Sequence, residues 1–145
     1  MTLDRIGRDR ALNDLRPIAV SAGFLLDVMG TWLTSLAIIA MTPGLAALSE
    51  EQQTTFLATN AGAQAVGALW TIAGGFLAAH LATDGEIANA FAVGALSTIL
   101  GFLGAFSSPP DVPFAFEAVG LAITIPLALA GGWSRAAFRR GPPRP

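Results

Sequence analysis

Residues Pro17 to Met41 read PIAVSAGFLLDVMGTWLTSLAIIAM, an apolar run in which Asp27 is the one charged side chain. A helix needs about 20 apolar residues to cross the roughly 30 Å hydrocarbon layer of a bilayer, and this run is long enough. The residues before it mix Asp4, Asp9 and Asp14 with arginines, and no short apolar core with a small-residue cleavage site follows. We therefore predict a membrane-spanning helix that stays in the chain rather than a cleaved signal peptide.

Three further apolar runs follow in a stretch without Lys or Arg, which extends from Arg16 to Arg135. Of the 145 residues, 53% are hydrophobic and 12% are charged, about half the charge of an ordinary globular domain. The sequence predicts an all-α fold, an integral membrane four-helix bundle that forms a single membrane domain over residues 1–145. Spans are predicted at about 17–41, 61–82, 87–106 and 112–133, with short tails at 1–16 and 134–145.

Two capping boxes mark helix starts between the spans. Ser49 and Gln52 have the S-x-x-Q spacing, and Thr83 and Glu86 have the equivalent T-x-x-E spacing directly after a break. The second box predicts that spans two and three form a tight helical hairpin. The first box predicts a helix start in the loop, and it leaves open whether residues 49–60 extend span two or lie flat on the outer surface.

Small residues recur at helical spacing on spans two and three, where they favour close contact between helix backbones in a membrane. They include Gly67 and Gly74 on span two, and Gly94 and Gly101 on span three. Spacings of three, four and seven residues place most of each set on one helical face. We expect these two faces to pack against each other, rather than to line a pore or a dimer seam, with spans two and three the closest pair.

The arginines set the expected orientation, because short cytoplasmic flanks retain Lys and Arg. Four arginines precede the first span, four follow the last, and the chain has no Lys. Both termini are therefore expected in the cytoplasm, with the loops at 42–60 and 107–111 outside. A composition that uses Arg without Lys and is rich in Ala, Gly and Pro suggests a bacterial protein. We expect a multi-pass protein of the bacterial cytoplasmic (inner) membrane.

Asp27 is the most informative polar residue. It lies ten residues beyond Pro17, which at 1.5 Å per residue is about 15 Å along the helix, near the bilayer midplane. A carboxylate there costs at least about 2.5 to 3.5 kcal/mol, so it is expected to face other helices or water. One interpretation is an ion- or proton-coupled site. The other is a buried carboxyl group that hydrogen-bonds a neighbouring helix through Thr31, Ser21 or Ser97.

The candidate polar site comprises Asp27, Thr31, Glu117 and His80. Glu117 lies six residues after Asp111, roughly 9 Å inside the outer edge, where it can reach water. His80 falls near the inner end of span two, where an imidazole suits the headgroup level, and a proton relay with Asp27 is the alternative. The three ionisable groups lie at different expected depths, so we do not expect them to converge.

Residue types that carry soluble enzyme chemistry are scarce. The chain has no Cys and one His, which excludes thiolate sites and multi-histidine metal sites. No G-x-x-x-x-G-K-[ST], H-E-x-x-H or G-x-S-x-G motif occurs, so the motifs of common nucleotide-binding and hydrolytic sites are absent. We therefore expect no catalytic residue, no cofactor, no metal and no nucleic-acid partner.

Short patterns in the first three spans resemble those of small uncharacterised bacterial membrane proteins with four spans. The segments are 23–31 (GFLLDVMGT), 74–79 (GGFLAA) and 89–94 (NAFAVG). In addition, residues 26–31 resemble the first span of small multidrug resistance transporters, where a membrane carboxylate precedes Gly-Thr. That resemblance implies that Asp27 stands where those proteins keep the Glu that exchanges protons and cationic drugs. Asp in place of Glu, and a longer outer loop, depart from that family's pattern.

Two functions are compatible with these features. The first is a non-enzymatic polytopic inner-membrane protein that acts as an accessory subunit of a larger membrane complex. The alternative is a small oligomeric proton- or ion-coupled transporter or channel, in which Asp27 from two copies shares one site because four helices alone rarely enclose a path. The expected partners are the lipid bilayer and either a larger complex or further copies of this chain.

Overall fold

The computed structural model describes residues 14–106, 109 and 111–140, so residues 1–13 and 141–145 of the predicted tails lie outside it. Within the described residues the chain forms five α-helices, one short 3-10 helix and no strand. The elements are α1 (Pro17–Met41), the 3-10 turn (Leu45–Ala47), α2 (Glu50–Thr59), α3 (Ala61–Leu81), α4 (Glu86–Ala105) and α5 (Phe114–Arg140). All the α-helices except α2 are long and apolar enough to cross a membrane. The predicted all-α class with four long apolar helices is confirmed.

Helix α2 is a separate element between the first and second long helices. The Ser49 capping box forms as predicted: the Ser49 hydroxyl accepts a hydrogen bond from the Gln52 amide at 3.3 Å, and the Ser49 amide donates to the Gln52 side chain at 3.2 Å. Asn60 ends α2 in an extended conformation and caps α3, because its side-chain oxygen accepts from the Ala63 amide at 3.0 Å. Residues 49–60 therefore do not continue the second long helix.

The turn between α3 and α4 is short, but the capping box predicted there is wrong. Gly85 is the residue before α4 and has a left-handed backbone with φ of 70°, which glycine adopts without steric cost. Helix α4 consequently starts at Glu86, and Gly85 rather than Thr83 occupies the cap position. Thr83 lies two residues before the cap position, so its hydroxyl does not cap α4.

Asn89 connects this turn to the start of α1. Its side chain is fully buried. The side-chain oxygen accepts a hydrogen bond from the Arg16 amide at 2.8 Å, and the side-chain nitrogen donates to the carbonyl oxygens of Asp14 at 2.9 Å and Gly85 at 2.8 Å. One side chain thus joins backbone groups at two helix starts, and it gives the Arg16 amide, which has no acceptor within α1, a hydrogen-bond partner.

Replacing Asn89 by Ala is expected to lower the free energy of unfolding by about 1–3 kcal/mol, because the Arg16 amide and the Asp14 carbonyl lose their partner in a partly buried place. Unfolding by SDS or heat in mild detergent, followed by circular dichroism, measures the difference. The matched control is Ser134→Ala, which removes a hydroxyl that is exposed and bonded only within its own helix. Equal stability of the two variants would show that Asn89 does not hold the turn.

Helix α5 is longer than the span predicted at 112–133. The sequence predicts a short tail at 134–145, whereas α5 continues to Arg140. The Arg139 guanidinium pairs with the Glu86 carboxylate at 3.3 Å and donates to the Thr83 carbonyl oxygen at 3.0 Å. The end of α5 is therefore held against the turn between α3 and α4, which corrects the prediction for residues up to 140.

The expected pairing of the second and third long helices as the closest pair is also wrong. Helix α3 packs most extensively against α1 and α5, and α4 packs mainly against α5, whereas the contact between α3 and α4 is smaller. The reason is that α1 and α5 carry small residues of their own. Gly23 of α1 and Ala128 of α5 allow the backbone of α3 to approach both helices at once.

The four glycines that were predicted to pack α3 against α4 contact α1 and α5 instead. On α3, Gly67 faces Thr31 of α1, and a Cβ on Gly74 would lie 2.6 Å from the Gly23 carbonyl oxygen of α1. On α4, a Cβ on Gly94 would lie 2.9 Å from the Ile125 Cα, and one on Gly101 would lie 3.1 Å from the Leu121 side chain, both on α5. The helical face was predicted correctly, but its partner was not.

The bundle is tightly packed in one half and loosely packed in the other. In the four long helices, the buried residues lie near the middle of the bundle or toward the side of the chain termini, which we call the terminal half; examples in that half are Ala79, Val93 and Ala128. The opposite side, the loop half, carries α2 and the connection between α4 and α5. No described residue of the loop half is buried in the segments 31–41, 61–70, 95–105 and 114–127. The helices therefore diverge there and leave space between them.

Candidate functional site

A cavity of about 540 Å³, which we call the Asp27 cavity, occupies the loop half of the bundle. All four long helices and α2 contribute to its lining. Its inner end is formed by Asp27 of α1, Thr71 of α3 and Ser97 of α4, at the level where the tight packing begins. Thr54 of α2 and Glu117 of α5 lie toward its mouth. The tight packing of the terminal half therefore bounds the cavity on one side, and the cavity extends from there into the loop half.

Asp27 points inward, with only 5% of its surface exposed. The Thr71 hydroxyl donates a hydrogen bond to its Oδ1 at 2.9 Å, and the Ser97 hydroxyl donates to its Oδ2 at 2.5 Å. Of the three partners considered from the sequence, only Ser97 bonds the carboxyl group. Thr31 lines the cavity without bonding Asp27, and Ser21 is exposed.

Thr71 is the partner that the sequence analysis missed, although a signal for it exists. It lies four residues after Gly67 and three before Gly74, so it shares the helical face that those glycines define. That face packs on α1, which brings Thr71 to Asp27. The face was interpreted only as a packing surface, so the single hydroxyl on it was overlooked.

The hydrogen bonds around Asp27 can satisfy both protonation states of the carboxyl group. An ionised carboxylate is an acceptor only, and both hydroxyl groups donate to it. The Thr71 hydroxyl also lies 3.3 Å from the Gly67 carbonyl oxygen, which gives its proton a second acceptor. When Asp27 binds a proton, Thr71 can donate to Gly67 and accept from Asp27 instead.

Glu117 lines the same cavity, closer to its mouth. Its position in the sequence predicts contact with water at a depth different from that of Asp27, but its Oε1 is buried and has no hydrogen-bond partner among the described residues. Gly101 lies one turn above Ser97 and contacts Leu121, and Glu117 is one further turn toward the mouth. The two carboxyl groups are thus about two turns, roughly 11 Å, apart along the bundle axis. The depths differ as expected, but one cavity joins the two groups.

His80 lies apart from the cavity. It is exposed near the end of α3, and its ring stacks on Phe76 with a centroid distance of 6.3 Å. Nine residues separate it from Thr71, which is about 14 Å along the helix and away from the cavity. Of the two interpretations considered for His80, a direct relay to Asp27 therefore has no support in this geometry.

The electrostatic environment of the cavity is one-sided. None of the described residues that line it is cationic, and the chain has no Lys or Arg between Arg16 and Arg135. Glu51 and Asp111 border a second recess on the loop side. These two acidic side chains belong to that recess and do not line the Asp27 cavity.

The arrangement therefore suits a proton or a small cation. Burial of a carboxylate costs free energy unless a partner neutralises it, and the two groups that bond Asp27, from Thr71 and Ser97, are uncharged hydroxyls. A positively charged species that enters from the loop side would provide the missing neutralisation at Asp27.

Searches against known protein families, curated proteins and solved structures found no match to this chain.

Proposed function

We propose that this chain is a small proton-coupled transporter or channel of the bacterial cytoplasmic membrane, in which Asp27 binds the proton. The observation that carries the proposal is the cavity that leads from the loop side to Asp27 and has no cationic side chain in its lining. A carboxyl group that only joined helices would not need such an approach. A carboxyl group at mid-membrane costs at least about 2.5 to 3.5 kcal/mol. A role of Asp27 in proton binding would explain why the chain carries this cost.

The outer surface of the bundle supports location in a membrane. Large apolar side chains are exposed along the long helices, including Leu25 at 56%, Phe102 at 54% and Phe106 at 76%. In water a continuous apolar surface of this kind would promote aggregation, whereas lipid tails are its natural surroundings, and helices satisfy their own backbone groups there. The arginines at both ends favour cytoplasmic termini. The loop side, with the mouth of the cavity, would then face outward.

The orientation can be tested by labelling, because the chain has no Cys. Ala46, in the loop before α2, and Ala137, near the end of α5, are both exposed and can each be replaced by Cys. A membrane-impermeant maleimide added to spheroplasts is expected to label Ala46→Cys directly and Ala137→Cys only after lysis. The reverse pattern would place the termini outside, and labelling of both in intact spheroplasts would contradict the four-span topology.

Transport through this chain would require the terminal half to open when the loop half closes. The terminal half is held by contacts between small residues, such as Gly23 against Gly74, rather than by interlocked large side chains. We propose that the chain works as an oligomer, since four helices rarely enclose a path. The resemblance of residues 26–31 to small multidrug resistance transporters is compatible with this proposal. The accessory-subunit role gains no separate support from the described contacts.

Reconstitution tests the proposal directly. Purified full-length protein is placed in liposomes that hold a pH-sensitive dye, and a valinomycin-generated potassium diffusion potential makes the interior negative. Vesicles that contain the protein are expected to acidify faster than protein-free vesicles. Parallel vesicles with a sodium-sensitive dye distinguish a proton from a metal cation. Proton and sodium fluxes equal to those of protein-free vesicles would overturn the proposed function.

A further inference from the structure

Helix α2 lies beside the place where α3 and α5 diverge. In the terminal half these two long helices touch through their backbones, because a Cβ on Gly75 or on Gly131 would overlap a carbonyl oxygen of the opposite helix. In the loop half, a Cβ on Gly120 of α5 would meet nothing within 4 Å, and one on Gly67 of α3 would meet only Thr31 of α1. The main contacts of α2 with long helices are those with α3 and α5. Helix α2 therefore lies along the gap that their divergence leaves.

One face of α2 forms part of the wall of the Asp27 cavity. Thr54 and Ala58 are one helical turn apart, and they line the cavity together with Gln64 of α3 and Gly120 of α5. No residue of α2 is buried, and its contacts with α3 and α5 are small compared with the main contacts between the long helices. A segment with few contacts and no buried side chain opens at low free-energy cost. Of the helices that line the cavity, α2 is thus held least firmly.

The residues on either side of α2 have extended backbones and can serve as joints. Ser49 precedes the helix with φ of −64° and ψ of 158°, and Asn60 follows it with φ of −81° and ψ of 115°. The capping box of Ser49 and Gln52 lies within this segment, so the first turn keeps its hydrogen bonds if the helix moves. Helix α2 can therefore turn as a unit about Ser49 and Asn60 without loss of its internal hydrogen bonds.

Gln64 of α3 fixes the position of α2 across the joint at Asn60. Its side-chain nitrogen donates to the carbonyl oxygens of Ala58 at 3.1 Å and Leu57 at 3.4 Å. Among the described residues, these are the only side-chain hydrogen bonds between α2 and another helix. Gln64 is exposed and lines the cavity, so water can compete for both bonds. The contact is therefore readily reversible.

We propose that α2 is a movable lid on the Asp27 cavity, and that Gln64 is the latch that holds this lid closed. When the latch bonds break, α2 turns about Ser49 and Asn60 and opens the gap between α3 and α5 to water. The lid rests on the proposed function and deepens it, because it names the route by which protons enter and leave the cavity. Access of water to the cavity can be measured without transport, so the lid and the transporter can fail separately.

Thiol labelling measures the opening directly, since the chain has no Cys. Gly120→Cys places a reporter in the cavity wall where there is free space, and open membrane fragments expose both faces to a hydrophilic maleimide. Gln64→Leu has a similar size but no donor. It is expected to raise the labelling rate about fivefold, the effect of one lost hydrogen bond on a minor open population. Thr59→Val is the matched control, because its hydroxyl bonds only within α2, and we expect it to leave the rate unchanged.

A covalent bridge tests the lid in the opposite direction. Glu51 of α2 and Asp111, before α5, border the same recess and are both exposed. Glu51→Cys and Asp111→Cys, combined in one chain, can therefore be joined by a short bismaleimide. A bridged α2 cannot leave the gap, so the bridged protein is expected to lose most of its proton flux in liposomes. The control is the same double variant after reaction with N-ethylmaleimide, which alkylates both thiols without joining them, and it is expected to retain the flux.

Each measurement has an outcome that contradicts the lid. Unchanged labelling in Gln64→Leu, or equally fast labelling in Thr59→Val, would overturn the latch and with it the lid. Equal proton flux in the bridged and the separately alkylated proteins would overturn the lid as the route to Asp27. If wild type itself conducts no protons, the proposed function fails. Faster labelling of Gln64→Leu would then still support a lid, over a cavity that serves another purpose.

Discussion

Proteoliposomes that contain the Asp27→Asn variant are expected to take up protons no faster than protein-free vesicles. Asn has nearly the shape of Asp, and it can still engage Thr71 and Ser97, which bond the carboxyl group at 2.9 and 2.5 Å. It cannot bind and release a proton, however. Among the residues that the structure describes, Asp27 is the only carboxyl group at the inner end of the cavity, so we expect loss of the protein-dependent flux with retention of the fold. The pH-sensitive dye inside the liposomes measures this proton flux.

Asp111→Asn is the matched control for this prediction. It removes the same charge from an exposed position near the mouth of the cavity. Screening by salt limits the effect of an exposed carboxylate, so the flux of this variant is expected to stay close to that of wild type. A folded Asp27→Asn protein with wild-type flux would leave Asp27 as a structural hydrogen-bond acceptor and remove the main support for transport.

Replacement of Gly75 by Ala is expected to destabilise the bundle severely. A Cβ at this position would overlap the carbonyl oxygen of Ala128 on α5, and a backbone atom cannot move aside as a flexible side chain can. Overpacking of this kind costs about 1–3 kcal/mol or more. The gain in helix propensity from Gly to Ala, at most about 1 kcal/mol, is smaller. The clash therefore dominates, and we expect aggregation in detergent or a lower unfolding midpoint.

Gly120→Ala, on α5, is the corresponding control. A Cβ at Gly120 would meet nothing within 4 Å, because the position belongs to the loosely packed loop half. The same chemical change is therefore expected to leave the unfolding midpoint unchanged or slightly raised. Equal loss of stability in both variants would show that the Gly75 contact does not hold α3 against α5.

The comparison of the two glycines illustrates how far periodicity can predict packing. Spacing along α3 and α4 correctly identified which faces carry small residues, because that depends only on the helical repeat. It did not identify the partners. Gly74 packs against Gly23 on α1 and Gly94 packs against α5, since close approach requires small residues on both helices. The turn between α3 and α4 brings two helices near each other in the chain without making their contact the largest.

The candidate site was also predictable only in part from the sequence. The inward orientation of Asp27 was predictable, because a carboxyl group in an apolar helix is costly toward lipid. The bond from Ser97 was among the alternatives considered, whereas Thr71 was not, and Glu117 was not expected to share a cavity with Asp27. His80 was predicted to belong to the same candidate site, but it lies in the last turn of α3, in the terminal half. The depth of a residue along a helix follows from its number in the sequence. The direction in which its side chain points relative to three other helices does not.

The amino-acid sequence alone established the number of long apolar helices, their approximate limits and the need to shield Asp27, because each depends on local composition and on the energetics of a single helix. The tertiary structure decided which helices touch, and hence that Thr71 and Ser97 meet Asp27 and that a cavity lies beside them in the loop half. Those outcomes depend on where small residues on different helices oppose one another. That complementarity is a property of pairs of faces, and no single stretch of sequence contains it.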